Sequence, residues 1–199
     1  SNSDGTATAP QRGDWRALFI EAGATNVVLK NVEVRYAGNL ANPGNPGGFE
    51  QAVRVLNTST LTNFRIIESD GNGPTLGGFT TTALTGVSVA GARNSAYVLA
   101  DTSARPIFNN VTSVRAGYDG VTMPGGSLPA DYTWNFSGMP LFIAGTYSLP
   151  AGTPLTIAAG TAVPFRPNGT DFPVNCTPIT HAAPRAPRPL TPRHDPPPP

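Results

Sequence analysis

The chain has 199 residues and a formal net charge of +1, and only 13% of its residues are charged. This low charge density provides no broad basic surface of the kind that nucleic-acid binding requires. No apolar run approaches the roughly 18 residues of a membrane-spanning helix. The 22 glycines, the 22 prolines and the β-branched apolar runs disfavour helices, and no window has a sustained period of about 3.6 residues. We therefore expect an all-β chain.

The first predicted elements belong to a repeated phrase. It reads LKNVEV at positions 29–34 and returns as LTNFRI, LTGVSV and FNNVTS. Its third position, occupied by Asn31, Asn63, Gly86 and Asn110, recurs at steps of 32, 23 and 24 residues. The first step is longer because it contains NLANPGNPGG at 39–48, which predicts a surface excursion. Without about nine residues of that excursion, the repeat is about 23 residues long.

Each repeat predicts at least two short strands. Apolar residues alternate with outward residues such as Glu33 and Arg35, and the runs ALFI, AVRV and AYVL precede three of the phrases. Short strands and turns in a repeat of this length predict a β-solenoid whose coils stack at ~4.8 Å. Asn suits a coil corner because it tolerates left-handed backbone and can bond to the Asn above and below it. Gly86 shares only the backbone property.

Two longer segments resemble a known family. GDWRALFIEAGATNVVLKNVEVRYAG at 13–38 resembles the opening coil of secreted bacterial β-helix proteins of the pectate-lyase-like superfamily. YTWNFSGMPLFIAGTYSLPAGTPLTIAAGTAVPF at 132–165 resembles the pattern found between their coil arrays. The resemblance covers most of residues 1–175 and implies a right-handed parallel β-helix that is secreted or lies at the cell surface. It does not imply one activity, because this fold carries enzymes, adhesins and structural stalks.

The predicted organisation has three parts. Residues 1–130 are β-helix coils, residues 131–175 are a further, truncated coil segment, and residues 176–199 are a disordered proline-rich tail. We interpret Cys176 in that tail as an incidental thiol and hypothesise that a frameshift near Asn175 produced the tail. In the resembling family an earlier coil precedes Gly13, so we expect a fragment whose N-terminal cap and export signal lie upstream.

The sequence lacks the motif of the superfamily's hydrolases. Both histidines, His181 and His194, lie in the tail, and no Asp-Asp pair occurs. The resemblance implies that lyases of this fold would instead pair carboxylate-held calcium with an Arg or Lys base. The best acidic cluster contains Glu68 and Asp70 in ESDGNG, and Asp119 occupies a similar place two coils later. These three residues are a speculative calcium or ligand site, although turn chemistry explains the same residues more simply.

Other side chains have competing interpretations. The aromatic residues could stack on a sugar, but we expect Trp15 and Trp134 to cover the core at coil junctions. The outward basic residues suit solvated faces or ion pairs between coils. A flat threonine array could form an ice-binding or adhesive face, although Lys30 and Arg65 interrupt it. The aromatic set is Trp15, Tyr36, Tyr118, Tyr132 and Trp134, the basic set is Lys30, Arg35, Arg54 and Arg65, and the threonine set is Thr60, Thr62, Thr85 and Thr112.

These observations favour a structural or ligand-binding segment without its own catalytic site. The expected partner is a polysaccharide or cell-wall glycan. No cofactor is expected, and calcium is the one ion that remains an alternative. The alternative is a calcium-dependent polysaccharide lyase or epimerase whose catalytic coils lie partly outside this chain. A lyase needs three or more carboxylates that converge with a basic residue on one exposed sheet, whereas a stalk needs only continuous apolar and Asn ladders.

Overall fold

The computed structural model describes residues 8–39, 51–78, 81–129, 132–136, 138–150, 152 and 154–164. Of the predicted excursion at 39–48, only Asn39 lies within these ranges. The predicted tail at 176–199, which contains Cys176, His181 and His194, also lies outside them. Within these ranges every regular element is a β-strand, and no helix is long and apolar enough to cross a membrane.

The strands are short and follow one another in groups of three. The first four groups are β1 (Leu18–Ile20), β2 (Val27–Lys30), β3 (Glu33–Arg35), β4 (Gln51–Val55), β5 (Ser59–Thr62), β6 (Arg65–Ile67), β7 (Asn72–Leu76), β8 (Ala83–Thr85), β9 (Ser88–Ala90), β10 (Ser95–Leu99), β11 (Ile107–Asn109) and β12 (Thr112–Val114). The remaining strands are β13 (Tyr118–Met123), β14 (Gly126–Ser127), β15 (Thr133–Trp134), β16 (Leu141–Ile143), β17 (Tyr147–Ser148) and β18 (Thr156–Ile157).

All strand pairs are parallel and join successive turns of a β-solenoid. Sheet A has the order β1-β4-β7-β10-β13-β16, sheet B the order β11-β8-β5-β2, and sheet C the order β12-β9-β6-β3. Leu61 pairs with Leu84, 23 positions later, and Leu84 pairs with Phe108, 24 positions later. The predicted all-β solenoid with about 23 residues per turn is therefore confirmed.

Apolar residues from the same position of each turn stack inside the solenoid. In sheet B this ladder runs through Leu29, Leu61, Leu84 and Phe108. Leu61 and Leu84 are fully buried, whereas Leu29 and Phe108 in the outer turns are only partly buried. The ladder removes apolar surface from water in each turn, which is the main favourable contribution to folding.

The corner between sheets B and C confirms the interpretation of the repeated asparagines. Asn31, Asn63, Gly86 and Asn110 have φ angles of 56°, 49°, 62° and 50°. The side-chain Nδ2 of Asn63 donates to Oδ1 of Asn31 at 3.1 Å. An Asn at this corner therefore adopts left-handed backbone and can also bind the Asn of the neighbouring turn, whereas Gly86 supplies only the backbone conformation.

A second column of left-handed corners follows sheet C. It contains Tyr36, Glu68, Gly91 and Arg115, with φ angles of 59°, 54°, 71° and 58°. Left-handed backbone costs an ordinary residue roughly 1–2 kcal/mol. Backbone bonds between turns hold the column, because the N–H groups of Tyr36, Glu68 and Gly91 donate to carbonyls of the next turn at 2.8–3.0 Å. The sequence pattern did not reveal this column, because its members share no residue type.

The sequence predicts at least two strands per repeat, and each of the first four turns has three. The repeated phrase contributes two of them, because the left-handed corner at Asn31 separates β2 from β3. Strand β7 was not predicted, because Gly73 and Pro74 are poor strand formers and the sequence there reads as a turn. A Cβ on Gly73 would clash with the carbonyl oxygen of Ala96 in the next turn. Glycine therefore permits close stacking at this point.

Beyond the fourth turn only sheet A continues, with a register shift between β10 and β13. Strands β13 and β16 extend it, while β14 pairs with β17 and β15 pairs with β18 in separate two-stranded ladders. Aromatic rings cover the core in this region. The ring centroids of Phe108 and Phe136 are 5.9 Å apart, and those of Trp134 and Tyr147 are 5.7 Å apart.

Replacement of a ladder residue should destabilise the solenoid far more than replacement of its outward neighbour. We expect Leu61→Ala to lower the free energy of unfolding by about 2–5 kcal/mol, because it leaves a cavity between two turns. Thr60→Ala, on the exposed face of the same strand, should change it by less than about 0.5 kcal/mol. Chemical denaturation followed by circular dichroism measures both values, and equal effects would contradict the ladder.

The Asn corner can be tested by separating backbone conformation from side-chain bonding. We expect Asn63→Ala to be less stable than Asn63→Gly by about 1 kcal/mol, because only alanine places a Cβ on left-handed backbone. Thermal unfolding of the two variants measures this difference. Equal stability would show that the corner does not require left-handed backbone in solution.

Candidate functional site

Glu68 lies at one of the left-handed corners, and two arginines from other turns surround it. Its carboxylate forms an ion pair with Arg12, and its Oε1 lies 3.7 Å from Nη2 of Arg115. A Cβ at Gly91 would clash with this carboxylate, so Glu68 reaches across Gly91 toward Arg115. The carboxylate therefore binds turns together along the solenoid axis.

Asp70 and Asp119 are engaged separately from Glu68. Asp70 is only 6% exposed, and its Oδ1 lies 2.8 Å from Nη2 of Arg93 in the next turn. Asp119 is exposed, and its Oδ1 accepts a hydrogen bond from the backbone N–H of Ala116 at 3.0 Å. In the described part of the chain, no three His, Cys, Asp or Glu side chains form a group that could hold a metal ion. The calcium site at these three residues stays a prediction.

Outward charges form ion pairs within and between turns. Glu33 pairs with Arg35 of its own strand, and its Oε2 lies 2.9 Å from Nη1 of Arg65 in the next turn. The hydrogen bond from Arg35 is the main reason why the pKa of Glu33 lies below its ordinary value. This arrangement confirms the interpretation of Arg65 as an ion-pair partner between coils, whereas Arg35 pairs within its own strand.

The aromatic residues do not form one platform. Trp134 and Tyr132 are 1% and 2% exposed, so Trp134 covers the core as predicted and neither ring offers a face to a sugar. The prediction for Trp15 is wrong, because this residue is 41% exposed. Its indole N–H donates to the carbonyl of Arg35 at 2.7 Å and thereby attaches the N-terminal segment to the first turn.

The threonines form a smaller array than the sequence suggested. Thr62 pairs with Thr85 on the outer side of sheet B, and Thr60 pairs with Ala83 beside them. Thr112 instead lies in β12 of sheet C. The four threonines therefore do not share one face, because the corner at Asn110 directs Thr112 onto another sheet.

A groove of about 280 Å³ lies where the chain leaves sheet B. One wall contains Arg105, at the end of the β10–β11 connection, and Ile107 of β11, and the other contains Tyr132, Thr133 and Asn135. The guanidinium carbon of Arg105 lies 3.7 Å from the centroid of the Tyr132 ring. This stacking fixes a planar cation in the wall of the groove.

Hydrogen bonds hold the β10–β11 connection in place. Asp101 accepts bonds from the backbone N–H groups of Gly78, Ser103 and Ala104 at 2.8, 2.8 and 3.0 Å, and from the hydroxyl of Ser103. Burial by itself would raise the pKa of Asp101, but these hydrogen bonds lower it below the ordinary value. Tyr132 donates from its hydroxyl to the carbonyl of Ala104 at 2.8 Å, which joins the two walls of the groove.

Sequence reasoning did not single out Asp101 or Arg105. A usable signal was present at Asp101, because Asp followed by Thr-Ser-Ala is a pattern in which a carboxylate accepts bonds from the next backbone N–H groups. No local pattern points to Arg105. Its role depends on Tyr132, which is 27 positions later in the sequence and meets it only through the fold.

Three kinds of comparison give no relative from which a function could be transferred. The chain matches no protein-family model, no curated protein and no solved structure. Its site must therefore be judged from its own geometry.

Asp101→Asn should destabilise the protein near neutral pH by about 1 kcal/mol, because an amide nitrogen cannot accept the bonds that a carboxylate oxygen accepts. A folded-state pKa below the unfolded value near 3.9 means that the carboxylate stabilises the fold above about pH 4. This stabilisation is lost as the pH falls through the folded-state pKa. The gap in unfolding free energy between wild type and variant should therefore shrink as the pH falls below about 4. Denaturant titrations measure it, and a constant gap would contradict the assignment.

Proposed function

We propose that this chain is a structural segment of a secreted or cell-surface bacterial protein related to the pectate-lyase-like superfamily, without a catalytic site of its own. The observation that carries the proposal is the use of its carboxylates. Glu33, Glu68 and Asp70 each pair with an arginine of another turn instead of converging on an open sheet. In this role the stacked turns form a spacer that carries other parts of a longer protein.

Three further features support a spacer. The apolar ladder of sheet B is in register through four turns, and the Asn corner repeats beside it. Each repeat that carries these two features adds one turn to the solenoid without requiring a ligand. Outward residues vary from turn to turn, as Lys30, Thr62, Thr85 and Asn109 do in one column. A column of such variable outward residues suits contact with solvent or a glycan better than it suits catalysis.

The alternative of a calcium-dependent polysaccharide lyase or epimerase makes opposite predictions for the same carboxylates. In the spacer, Asp70→Asn removes the negative charge that pairs with Arg93 and should lower the free energy of unfolding by about 1–3 kcal/mol. Asp119→Asn, which changes an exposed carboxylate, should have an effect below about 1 kcal/mol. Denaturant titration of the two variants checks this difference, which a purely ligand-binding pair of carboxylates would not produce.

A calcium titration by calorimetry and an ultraviolet assay for unsaturated uronate products test the activity directly. We expect the full chain to give no calcium-binding heat and to release no product from polygalacturonate or alginate. Calcium heat that Glu68→Gln and Asp70→Asn both abolish, together with product release, would overturn the spacer proposal. Localisation is tested separately by protease treatment of intact cells, which should cleave the protein if it lies at the surface.

A further inference from the structure

Two buried rings form the floor of the groove beside β11. Tyr132 and Phe136 are 2% and 3% exposed. The hydroxyl of Tyr132 donates to the carbonyl of Ala104 at 2.8 Å, and the ring of Phe136 packs against that of Phe108. These rings occupy the space over the fourth turn, so neither a further strand nor a stacked ligand ring has room there. The part of the groove that is open to a ligand is therefore its outer rim.

The rim contains one oriented cation, Arg105, which is partly exposed. Its Nη1 donates to the carbonyls of Thr102 and Ser103, each at 3.3 Å, and its guanidinium stacks on Tyr132. Among the described residues, no carboxylate forms an ion pair with Arg105, in contrast to Arg93, which pairs with Asp70. A guanidinium has five N–H donors, so the two bonds of Nη1 leave donors for a ligand. The rim is therefore complementary to a single anion.

An aliphatic surface lies beside this cation. Ile107 is 48% exposed although it is a large apolar residue, and Pro106 lines the groove next to it. Arg105 precedes a proline, which favours extended backbone. Two residues along an extended chain point to the same side and lie about 6.6 Å apart. The rim therefore presents a positive charge and an aliphatic side chain to the same ligand.

The opposite wall is polar and uncharged. It contains Thr133 and Asn135, both of which are exposed. The side-chain amide of Asn135 has two N–H donors and an oxygen acceptor, which are the groups that pair with a peptide bond. The groove volume of about 280 Å³ lies just below the roughly 300–1,000 Å³ of sites for drug-sized ligands. Its size therefore suits one or two residues of a chain and not a long segment.

We propose that this groove binds the C-terminal residue of a partner protein, where that residue has an aliphatic side chain. The terminal carboxylate binds the guanidinium of Arg105, and the side chain packs on Pro106 and Ile107. Thr133 and Asn135 form hydrogen bonds with the last peptide group. A C-terminal residue carries its carboxylate and its side chain on one Cα, so it meets the cation and the aliphatic surface together.

A peptide C-terminus fits these observations better than an acidic glycan or an internal acidic residue. An acidic sugar has a carboxylate for Arg105, but it has no aliphatic side chain for Ile107, and the buried rings of Tyr132 and Phe136 offer it no face. An internal Asp or Glu is followed by more chain on both sides, which a groove of this size does not accommodate. The proposal is independent of the spacer function, because this binding requires neither calcium nor catalysis.

The test uses the full chain and an acetylated peptide that ends in Gly-Ser-Leu with a free carboxylate. A ligand-observed NMR titration measures its dissociation constant, including weak binding. We expect the C-terminal amide of the same peptide, which has no charge, to bind at least about tenfold more weakly. Serine in place of the terminal leucine removes the aliphatic contact and should weaken binding to a similar extent. An amidated peptide with an internal Glu-Leu should bind no better than the amide.

Matched protein variants locate the site. Ile107→Ser should weaken binding at least about tenfold, whereas Val28→Ser, in the same outward column of sheet B but in the first turn, should leave it unchanged. Arg105→Gln should also weaken binding at least about tenfold, whereas Arg54→Gln, which removes the same charge from sheet A, should not. Arg105 also stacks on Tyr132, so circular dichroism checks the fold of each variant. The Ile107 pair keeps the test valid if Arg105→Gln fails to fold.

Four results would overturn the proposal. They are no binding of the leucine carboxylate peptide to the wild-type chain, equal binding of the acid and the amide, equal binding of the acid and the internal Glu peptide, and full binding by Ile107→Ser. Trigalacturonate that binds more tightly than the peptide and depends on Arg105 would show a glycan site instead. The calcium and lyase assays report on the spacer proposal separately, so failure of one proposal can be distinguished from failure of the other.

Discussion

Parallel stacking of turns in register is the constraint on which the rest of this structure depends. A single turn of about 23 residues has three short strands and cannot bury its inward side chains by itself. Only the turn above and the turn below provide that cover, as the fully buried Leu61 and Leu84 show. Every corner must consequently bend the chain into the next sheet at the equivalent position of each turn. Otherwise the ladder would lose its register.

The corners meet this requirement through left-handed backbone, and the two corner columns do so by different means. Between sheets B and C, Asn and Gly tolerate that conformation, and Asn63 also binds Asn31. After sheet C the conformation is imposed on Tyr36, Glu68 and Arg115, which do not favour it. Backbone bonds between turns and the ion pairs of Glu68 compensate for that cost. Glu68, the first carboxylate of the acidic cluster, therefore has a structural role at this corner.

The regular stack changes at the end of the fourth turn. Sheet A continues through β13 and β16, but the chain leaves sheets B and C and packs Phe136 against Phe108. This divergence forms a groove whose cation, Arg105, stacks on the ring of Tyr132. Tyr132 and Phe136 replace the regular ladder here, because they contact Ala104 and Phe108 without a paired strand between them.

The sequence by itself determined the period, the register and one corner column. Equivalent positions of a solenoid repeat face equivalent surroundings, so the spacing of Leu29, Leu61, Leu84 and Phe108 in the sequence is their spacing in the ladder. Tertiary structure decided the remainder. Gly73 and Pro74 form a strand only because β4 and β10 pair on both sides of it. Glu68 and Asp70 engage arginines of other turns, and Arg105 meets Tyr132, because these contacts join residues from different turns and no local pattern encodes them.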